Sequence, residues 1–402
     1  MPALQTHGRG TLVKFLDLRP DLFVIGDEED FSVSFDHEGR WFNALAGTWR
    51  YRRGMSGIVT RVERATRGQD PAVPTRISDA DALKITHILH ERAMVARDEW
   101  QRGFRKPLRS TSQRQIEAGF EKIRGWDEKR YAQNIALFRK VYGHIPILPP
   151  DQYLALYLQP VIGCRYHRCG FCTLYWDKAH HVRSDAEWHE HLSDARELFG
   201  ASISTRHGLF LGDANALDME PDALADRLLA ARHIFPEMWN RTGPGIVAFQ
   251  DAFGPNIPSQ PEGYAELIKR GLCRIYIGLE SGSDNIRKLV SKPGPASDVV
   301  AGVRTAKKAG LSISLMIIIG LGGREHHEEH VIHTARIIDE CSLGVDDKIF
   351  FSRLVLDPGA PYGRLDLTPL SDTEMTDQET SLRKILPGHI QIIPYRIEGF
   401  VY

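Results

Sequence analysis

Cys164, Cys169 and Cys172 stand close together in the run Gly163-Cys164-Arg165-Tyr166-His167-Arg168-Cys169-Gly170-Phe171-Cys172. Three thiolates on one loop can bind three irons of a cubic four-iron, four-sulfur cluster and leave the fourth iron open to a further ligand. An open coordination position belongs to a catalytic rather than a structural centre. Two other chemistries use such residues. A structural zinc needs a fourth ligand, for which His167 and His180 are at hand, and a dithiol redox pair would use Cys169 and Cys172 but leave Cys164 without a role. The remaining cysteines, Cys273 and Cys341, lie too far off in sequence to build a second ligand set. Cys273 opens a predicted strand and reads as core.

The elements that must position this loop can be read from apolar patterning. Runs without alternation at Tyr153–Leu158, Gly208–Leu211, Ile246–Phe249, Arg274–Leu279, Ile313–Ile319 and Ile349–Leu356 suit buried parallel strands. Helical patterns fall between them: Ser184 with Glu187 caps one, Pro221 opens another and Glu325–Glu340 fills a third. The class is therefore α/β, a partial (β/α)6 TIM-like barrel over residues 151–370, with chemistry on the loops after the strands' carboxyl ends.

Residues 1–150 read as an N-terminal α+β extension. Alternating runs at Phe23–Gly26, Phe31–Phe35 and Trp49–Tyr51, with the turn Asp36-His37-Glu38-Gly39, predict a small antiparallel meander. Ser78 and Asp81 then cap a helix carrying Ile85, Ile88, Leu89 and Val95, a second helical stretch covers 112–142, and Pro146, Pro149 and Pro150 mark the boundary. Residues 371–402 read as a helix and an apolar tail. The stretch from Ile390 to Tyr402 would be an aggregation hazard if unpaired, so it is expected to pack as a strand or plug closing the open side of the barrel.

Composition excludes some function classes. Lys plus Arg (51) balances Asp plus Glu (52), so no whole-chain field draws nucleic acid or an anionic membrane. Arg102, Arg105, Lys106, Arg109 and Arg114 form a local basic stretch, read as a solvated connection between helices. No apolar run reaches the roughly 20 residues of a membrane span, and Met1-Pro2-Ala3-Leu4-Gln5 lacks the charged start and apolar centre of a signal peptide. The expected location is cytoplasmic, where reducing conditions keep thiols available for metal.

The cysteine run resembles the cluster loop of the radical S-adenosylmethionine (radical SAM) superfamily, whose usual signature spaces three cysteines by three and then two residues with an aromatic before the last. Phe171 supplies the aromatic, while four residues separate Cys164 from Cys169. The resemblance covers residues 150–370 and continues at four strand ends in order. Leu211-Gly212-Asp213-Ala214-Asn215 resembles the segment whose carbonyls and carboxylate receive the methionyl ammonium. Gly278-Leu279-Glu280-Ser281-Gly282-Ser283 is similar to the ribose segment, with Glu280 as the carboxylate and Ser281 beside it. Ile319-Gly320-Leu321-Gly322-Gly323-Arg324-Glu325 resembles the loop along the adenine, where Gly320 lets backbone approach and Arg324 is a partner for the methionyl carboxylate. Leu354-Val355-Leu356-Asp357-Pro358-Gly359-Ala360-Pro361 is similar to the last exit supporting the adenine, with Leu356 in contact.

The resemblance implies two cofactors, a 4Fe-4S cluster on Cys164, Cys169 and Cys172 and S-adenosylmethionine on the open iron. It also implies reductive cleavage to a 5′-deoxyadenosyl radical that abstracts hydrogen from substrate, with flavodoxin or ferredoxin as electron donor. The four-residue spacer leaves open which carbon–sulfur bond breaks. On the substrate side, Tyr175 and Trp176 follow the cluster loop and Gln250 with Asp251 ends the third strand, so all four can face one cavity; loop packing and turn capping are the alternatives. His180, His181, His189 and His191 read as surface histidines. Neither a cysteine-rich carboxyl-terminal segment nor an Asp-x-His-x-x-Gly segment occurs, which argues against auxiliary clusters and cobalamin. The expectation is an enzyme acting on a small molecule; the alternatives are modification of a peptide, nucleic acid or lipid, and a non-catalytic iron–sulfur or zinc protein.

Overall fold

The computed structural model describes residues 14–27, 30–64, 73–103, 107–109, 111–240, 245–397 and 400–402. The chain divides into two units, one of 1–145, 194–206 and 398–402, the other of 146–193 and 207–397.

In the first unit, seven strands form an antiparallel meander in sequence order: β1 (Phe15–Leu18), β2 (Leu22–Gly26), β3 (Phe31–Asp36), β4 (Trp41–Ala46), β5 (Trp49–Arg53), β6 (Val59–Glu63) and β7 (Thr75–Arg76). Alternation sets the faces: Phe31, Val33 and Phe35 of β3 are buried while Ser32 and Ser34 are not. The buried face packs with Leu89 and Ala93 of α1 (Asp79–Gln101) and Phe120 of α2 (Gln113–Arg124). Ser78 caps α1 by accepting the N–H of Asp81 at 3.1 Å. The single helix expected over 112–142 is two, because α2 stops at Gly125 and Asp127 starts α3 (Glu128–Tyr142) by accepting the Arg130 N–H. Within the basic stretch, Arg109 pairs with buried Asp17 at 2.9 Å and Arg102 and Arg114 are exposed; Arg105 and Lys106 lie outside the described residues.

The second unit is built on a seven-stranded all-parallel sheet. Its strands are β8 (Leu156–Leu158), β11 (Leu209–Leu211), β12 (Ile246–Gln250), β13 (Leu272–Glu280), β14 (Ser312–Ile319), β15 (Lys348–Arg353) and β16 (Gln391–Tyr395), side by side in that order. The intervening helices are α4 (Asp185–Phe199), α5 (Pro221–Ile234), α6 (Glu237–Asn240), α7 (Ala265–Lys269), α8 (Asp284–Leu289), α9 (Ala296–Lys308), α10 (His327–Glu340) and α11 (Asp372–Ile385). Near-continuous burial, as in β12, is what helices on a parallel sheet impose. This is an α/β fold with a parallel sheet of the partial TIM-like kind, plus an antiparallel N-terminal sheet. Three expectations need correction. The sheet has seven strands rather than six, since the tail adds β16 in parallel register with β15. That strand does not close the barrel, because β16 and β8 remain the two edges. The fifth crossover helix starts at His327, two residues later than expected.

Candidate cluster and cofactor site

The cysteine loop leaves the sheet after β8 and is pinched at its base by a two-stranded antiparallel pair, β9 (Val161–Ile162) with β10 (His181–Val182). None of its cysteines is in a disulfide, and all three line one cavity of about 240 Å³. The four-residue spacer turns through His167, which adopts a left-handed φ of 54° and donates its backbone N–H to Cys164 Sγ at 3.4 Å. Histidine tolerates that conformation better than most residues. Further along, the Gly170 N–H donates to Val290 O (2.8 Å) and the Tyr362 N–H to Gly170 O (2.9 Å). Phe171 lines the cavity and packs on Ile286, Val290, Leu321 and Tyr362.

The donor set fits a multi-iron cluster. Burial pushes the Cys169 thiol up to about 12, against the pull of Lys292, and the Cys172 thiol up to about 11, so without a metal cation both stay protonated. His180, one of the two candidate fourth ligands for a structural zinc, lies 3.3 Å from Asp218.

Asp213 has a different role from the one its motif suggested. Fully buried, it accepts Tyr157 Oη (2.5 Å) and Gln159 Nε2 (2.7 Å) on Oδ1, and the Gly163 N–H (3.0 Å) and Lys178 Nζ (3.0 Å) on Oδ2. Gly163 and Lys178 flank the cysteine loop, so this one carboxylate ties both stems to the end of β11. It has no capacity left for a ligand's ammonium. Gly212 is required for this arrangement, because a Cβ there would sit 2.0 Å from the Tyr157 hydroxyl. Ala214 lines the cavity, whereas Asn215 is buried behind it, its Oδ1 accepting the Leu217 N–H at 3.1 Å.

At the end of β13 the register slips between Gly278 and Glu280, and Glu280 takes a left-handed φ of 61°. Its carboxylate lines the cavity and accepts Lys292 Nζ at 3.0 Å. Burial alone would lower the Lys292 pKa, but Glu280 and Cys169 together raise it above its ordinary value. One buried guanidinium fixes both partners: Arg287 donates to Leu279 O (2.7 Å), Pro293 O (2.9 Å) and Gly294 O (3.0 Å). Ser281 is absent from the cavity lining. Its hydroxyl pairs with His330 Nδ1 (2.9 Å) and accepts the Ser283 N–H (3.2 Å), so it shapes the turn behind Glu280 instead of facing a ribose. The Thr334 hydroxyl holds the Gly282 N–H from the same helix, α10.

Arg324 and Leu356 are also displaced from their expected roles. Arg324 is 54 % exposed and pairs with Glu374 (2.7 Å), fastening its loop to α11 rather than lining the cavity. Lys292, which sequence reasoning missed, is the cation beside the thiols. No sequence signal distinguishes it, since it is one lysine in a Ser-Lys-Pro-Gly turn. Gly320, with φ 91°, gives its N–H to Gln378 Oε1 (2.7 Å), and Ile317 and Ile318 line the cavity in its place. Leu356 is exposed because β15 ends at Arg353; Leu354 and Val355 reach the cavity.

Tyr175, Gln250 and Asp251 do line the cavity. Burial holds the Tyr175 phenol well above its usual range. Asp251 also caps its own turn, accepting the N–H groups of Phe253 (3.0 Å) and Gly254 (2.8 Å), and burial raises its pKa. Trp176 is exposed, in a separate crevice with His167, Arg168, Cys169 and Pro361. His191 is not a surface residue: it is buried, and its Nε2 accepts the Gln159 N–H at 3.1 Å.

No curated protein matches the chain. Among solved structures it is similar to coproporphyrinogen III oxidase from Escherichia coli, a radical SAM enzyme, at 17 % identity and TM-score 0.43, covering 64 % of this chain and 55 % of that one. It is similar to methylornithine synthase at 15 % identity and TM-score 0.39 (67 % and 78 % covered), and to Elp3 of the archaeon Methanocaldococcus infernus at 13 % and 0.39 (51 % of each). The chain thus spans about half the length of the first and third of these. The model of the radical SAM superfamily, whose members use a 4Fe-4S cluster and S-adenosylmethionine, matches residues 158–336. That range holds the cysteine loop, Asp213, Glu280 and Lys292, and it identifies this part of the chain as a radical SAM domain.

Proposed function

We propose that the protein is a radical SAM enzyme acting on a small molecule. The observation that carries this reading is the meeting of three disulfide-free thiols and the Glu280–Lys292 pair on one cavity at the carboxyl ends of parallel strands. Cys164, Cys169 and Cys172 would hold the cluster. When bound there, the cluster and S-adenosylmethionine supply a one-electron cleavage that yields a 5′-deoxyadenosyl radical.

The chain's own residues have three tasks. Asp213 and Lys178 hold the loop stems so that the thiols keep their spacing. Glu280 presents a carboxylate to ribose hydroxyls, and Lys292, held charged, meets the methionyl carboxylate. Phe171, Ile317, Ile318 and Leu354 line the cavity with apolar surface and exclude water from a reactive radical. An external flavodoxin or ferredoxin supplies the electron.

The test is anaerobic reconstitution with iron and sulfide, then dithionite and S-adenosylmethionine. Release of 5′-deoxyadenosine is expected; stoichiometric zinc with no release overturns the reading. Methylthioadenosine in its place would show cleavage of the aminocarboxypropyl bond.

A further inference from the structure

We infer that the substrate carries a protonated amine and that Asp251 receives it through Oδ2. The inference rests on the function just proposed and names the substrate class for the same cavity.

The two oxygens of Asp251 are in different states. Oδ1 accepts the N–H groups of Phe253 (3.0 Å) and Gly254 (2.8 Å), which fastens the carboxylate to the turn after β12. A Cβ on Gly254 would lie 3.2 Å from this oxygen and 3.3 Å from Asn215 Nδ2, so the Asn215 amide also flanks Oδ1, without bonding to it. Oδ2 has no partner among the described residues, and it is not enclosed as the unpaired Nε2 of neighbouring Gln250 is. Asp251 lines the cavity, and with Oδ1 committed to the turn, Oδ2 is the atom it offers there.

The cations of the wall are spoken for. Among the described residues that line the cavity they are Lys292 and Arg353. Arg353 answers Glu379 (2.9 Å) and Asp372 (3.8 Å). Lys292 acts on Asp251 without forming an ion pair with it; it is bonded to Glu280 (3.0 Å), and in the proposed function it also takes the methionyl carboxylate. With S-adenosylmethionine bound, Lys292 thus serves two carboxylates and Asp251 has no counter-ion of its own. Burial of a carboxylate in that state is unfavourable, and it raises the Asp251 pKa. A cation on the substrate relieves this, whereas a carboxylate or phosphate adds to it.

An N–H-bearing cation suits the site better than a quaternary one, because Oδ2 is a hydrogen-bond acceptor. Phe249 and Phe253, two residues to either side of Asp251, line the same cavity, and aromatic rings are favourable neighbours for an ammonium. Lys292 Nζ already lies 6.0 Å from the Phe253 centroid. The methionyl group brings the other amine to this cavity, but it belongs beside the thiols. The charges acting most on Cys169 and Cys172 are those of Lys292, Glu280 and the other cysteines, with Asp251 not among them. That leaves Asp251 to the substrate.

The experiment uses three probes of one shape, benzylamine, benzyl alcohol and benzoate, on the anaerobically reconstituted, unreduced full chain with saturating S-adenosylmethionine, with binding read by ligand-observed NMR titration. Benzylamine is expected to bind about tenfold tighter than benzyl alcohol, the worth of one hydrogen bond to a charged group, and benzoate most weakly. Asp251→Asn keeps an oxygen for the Phe253 and Gly254 N–H groups and should bring benzylamine to the level of benzyl alcohol. Asp251→Ser, whose hydroxyl can cap the same turn, serves if the first variant fails to fold. Equal binding of benzylamine and benzyl alcohol, no binding by benzylamine, or a preference that survives in the variant overturns the inference. So does a tenfold loss of S-adenosylmethionine affinity in the variant by equilibrium dialysis, since the amine at Asp251 would then be the methionyl one. Iron, sulfide and, after reduction, deoxyadenosine release are measured on the same wild-type preparation. If those fail, the proposed function falls; if they stand and the ranking fails, only the substrate class falls.

Discussion

The two ends of the parallel sheet use similar residues to opposite effect. At the amino ends every polar group named here is closed by the protein itself. Asp347 accepts the N–H groups of Ile313 and Gly344 (2.7 Å each) and pairs with Lys307, while Arg274 donates to Ile313 O, Ser314 Oγ and Asp346 O. Cys273 donates its thiol to Ile246 O at 3.3 Å. At the carboxyl ends, an equivalent lysine–carboxylate pair, Lys292–Glu280, faces a cavity, Glu280 is in a left-handed conformation and three thiols lining the same cavity are unbridged. Residue type alone therefore does not mark the site. Groups whose bonding the fold completes hold the sheet together, and groups whose bonding it leaves incomplete await a ligand.

The sharpest way to break this contrast is a pair of identical substitutions. Cys169→Ala should abolish cluster assembly and all S-adenosylmethionine cleavage, read as iron and sulfide per chain after reconstitution. Cys273→Ala should keep full iron content. Iron retained in the first variant, or lost in the second, would erase the distinction between the two ends.

The next largest effect is expected at Asp213, which lies at the carboxyl ends yet is bonded like an amino-end residue. Asp213→Asn removes one partner of the buried pair with Lys178, a change of about 3–5 kcal/mol in comparable pairs. Because that pair ties the stems of the cysteine loop, iron content should fall along with the urea midpoint. A stable variant that binds iron normally would show that the clamp does not matter to the loop.

Asp213 also shows where sequence reading runs out. The cysteines, the strand order and the loops that carry them were legible, because thiol spacing and unbroken apolar runs are local signals. So was Glu280, from its place after the fourth predicted strand. The bonding of Asp213, Ser281 and Arg324 was not, since their partners Tyr157, His330 and Glu374 lie in other elements. Lys292 escaped for the same reason: only the turn fixed by Arg287 brings it to Glu280. The seventh strand was half legible, as an apolar tail whose parallel pairing with β15 no local pattern specifies.

Lysines at the two ends give a more graded comparison. Lys292→Met should lower S-adenosylmethionine affinity by about tenfold, the worth of one charge-assisted hydrogen bond, measured by equilibrium dialysis on reconstituted protein. Lys307→Met should leave that affinity unchanged and reduce stability by about 1–3 kcal/mol by denaturant titration, since it strips a partner from buried Asp347. Equal effects of the two variants on affinity would contradict the contrast.

The smallest expected effect tests the support behind Glu280 through pH. Burial depresses the His330 pKa from 6.5 to about 4, and its Nε2 has no partner. The folded chain therefore holds this imidazole neutral while the unfolded chain protonates it near pH 6.5, so the unfolded state binds more protons between these values and stability rises with pH there. His330's share is complete above pH 6.5 and disappears as pH falls towards 4, amounting to about 2 kcal/mol between pH 7 and pH 5. His90, in the N-terminal unit, is also lowered to about 4 by burial and adds a slope of the same sign. His330→Gln should remove one of the two contributions, flattening the urea midpoint against pH, and should weaken S-adenosylmethionine binding at pH 7 through the Ser281 turn while leaving iron content intact. The same flattening without any change in binding would mean that α10 braces the sheet alone, and the carboxyl ends would then owe less to their supporting helix than the Ser281, Gly282 and Ser283 bonds suggest.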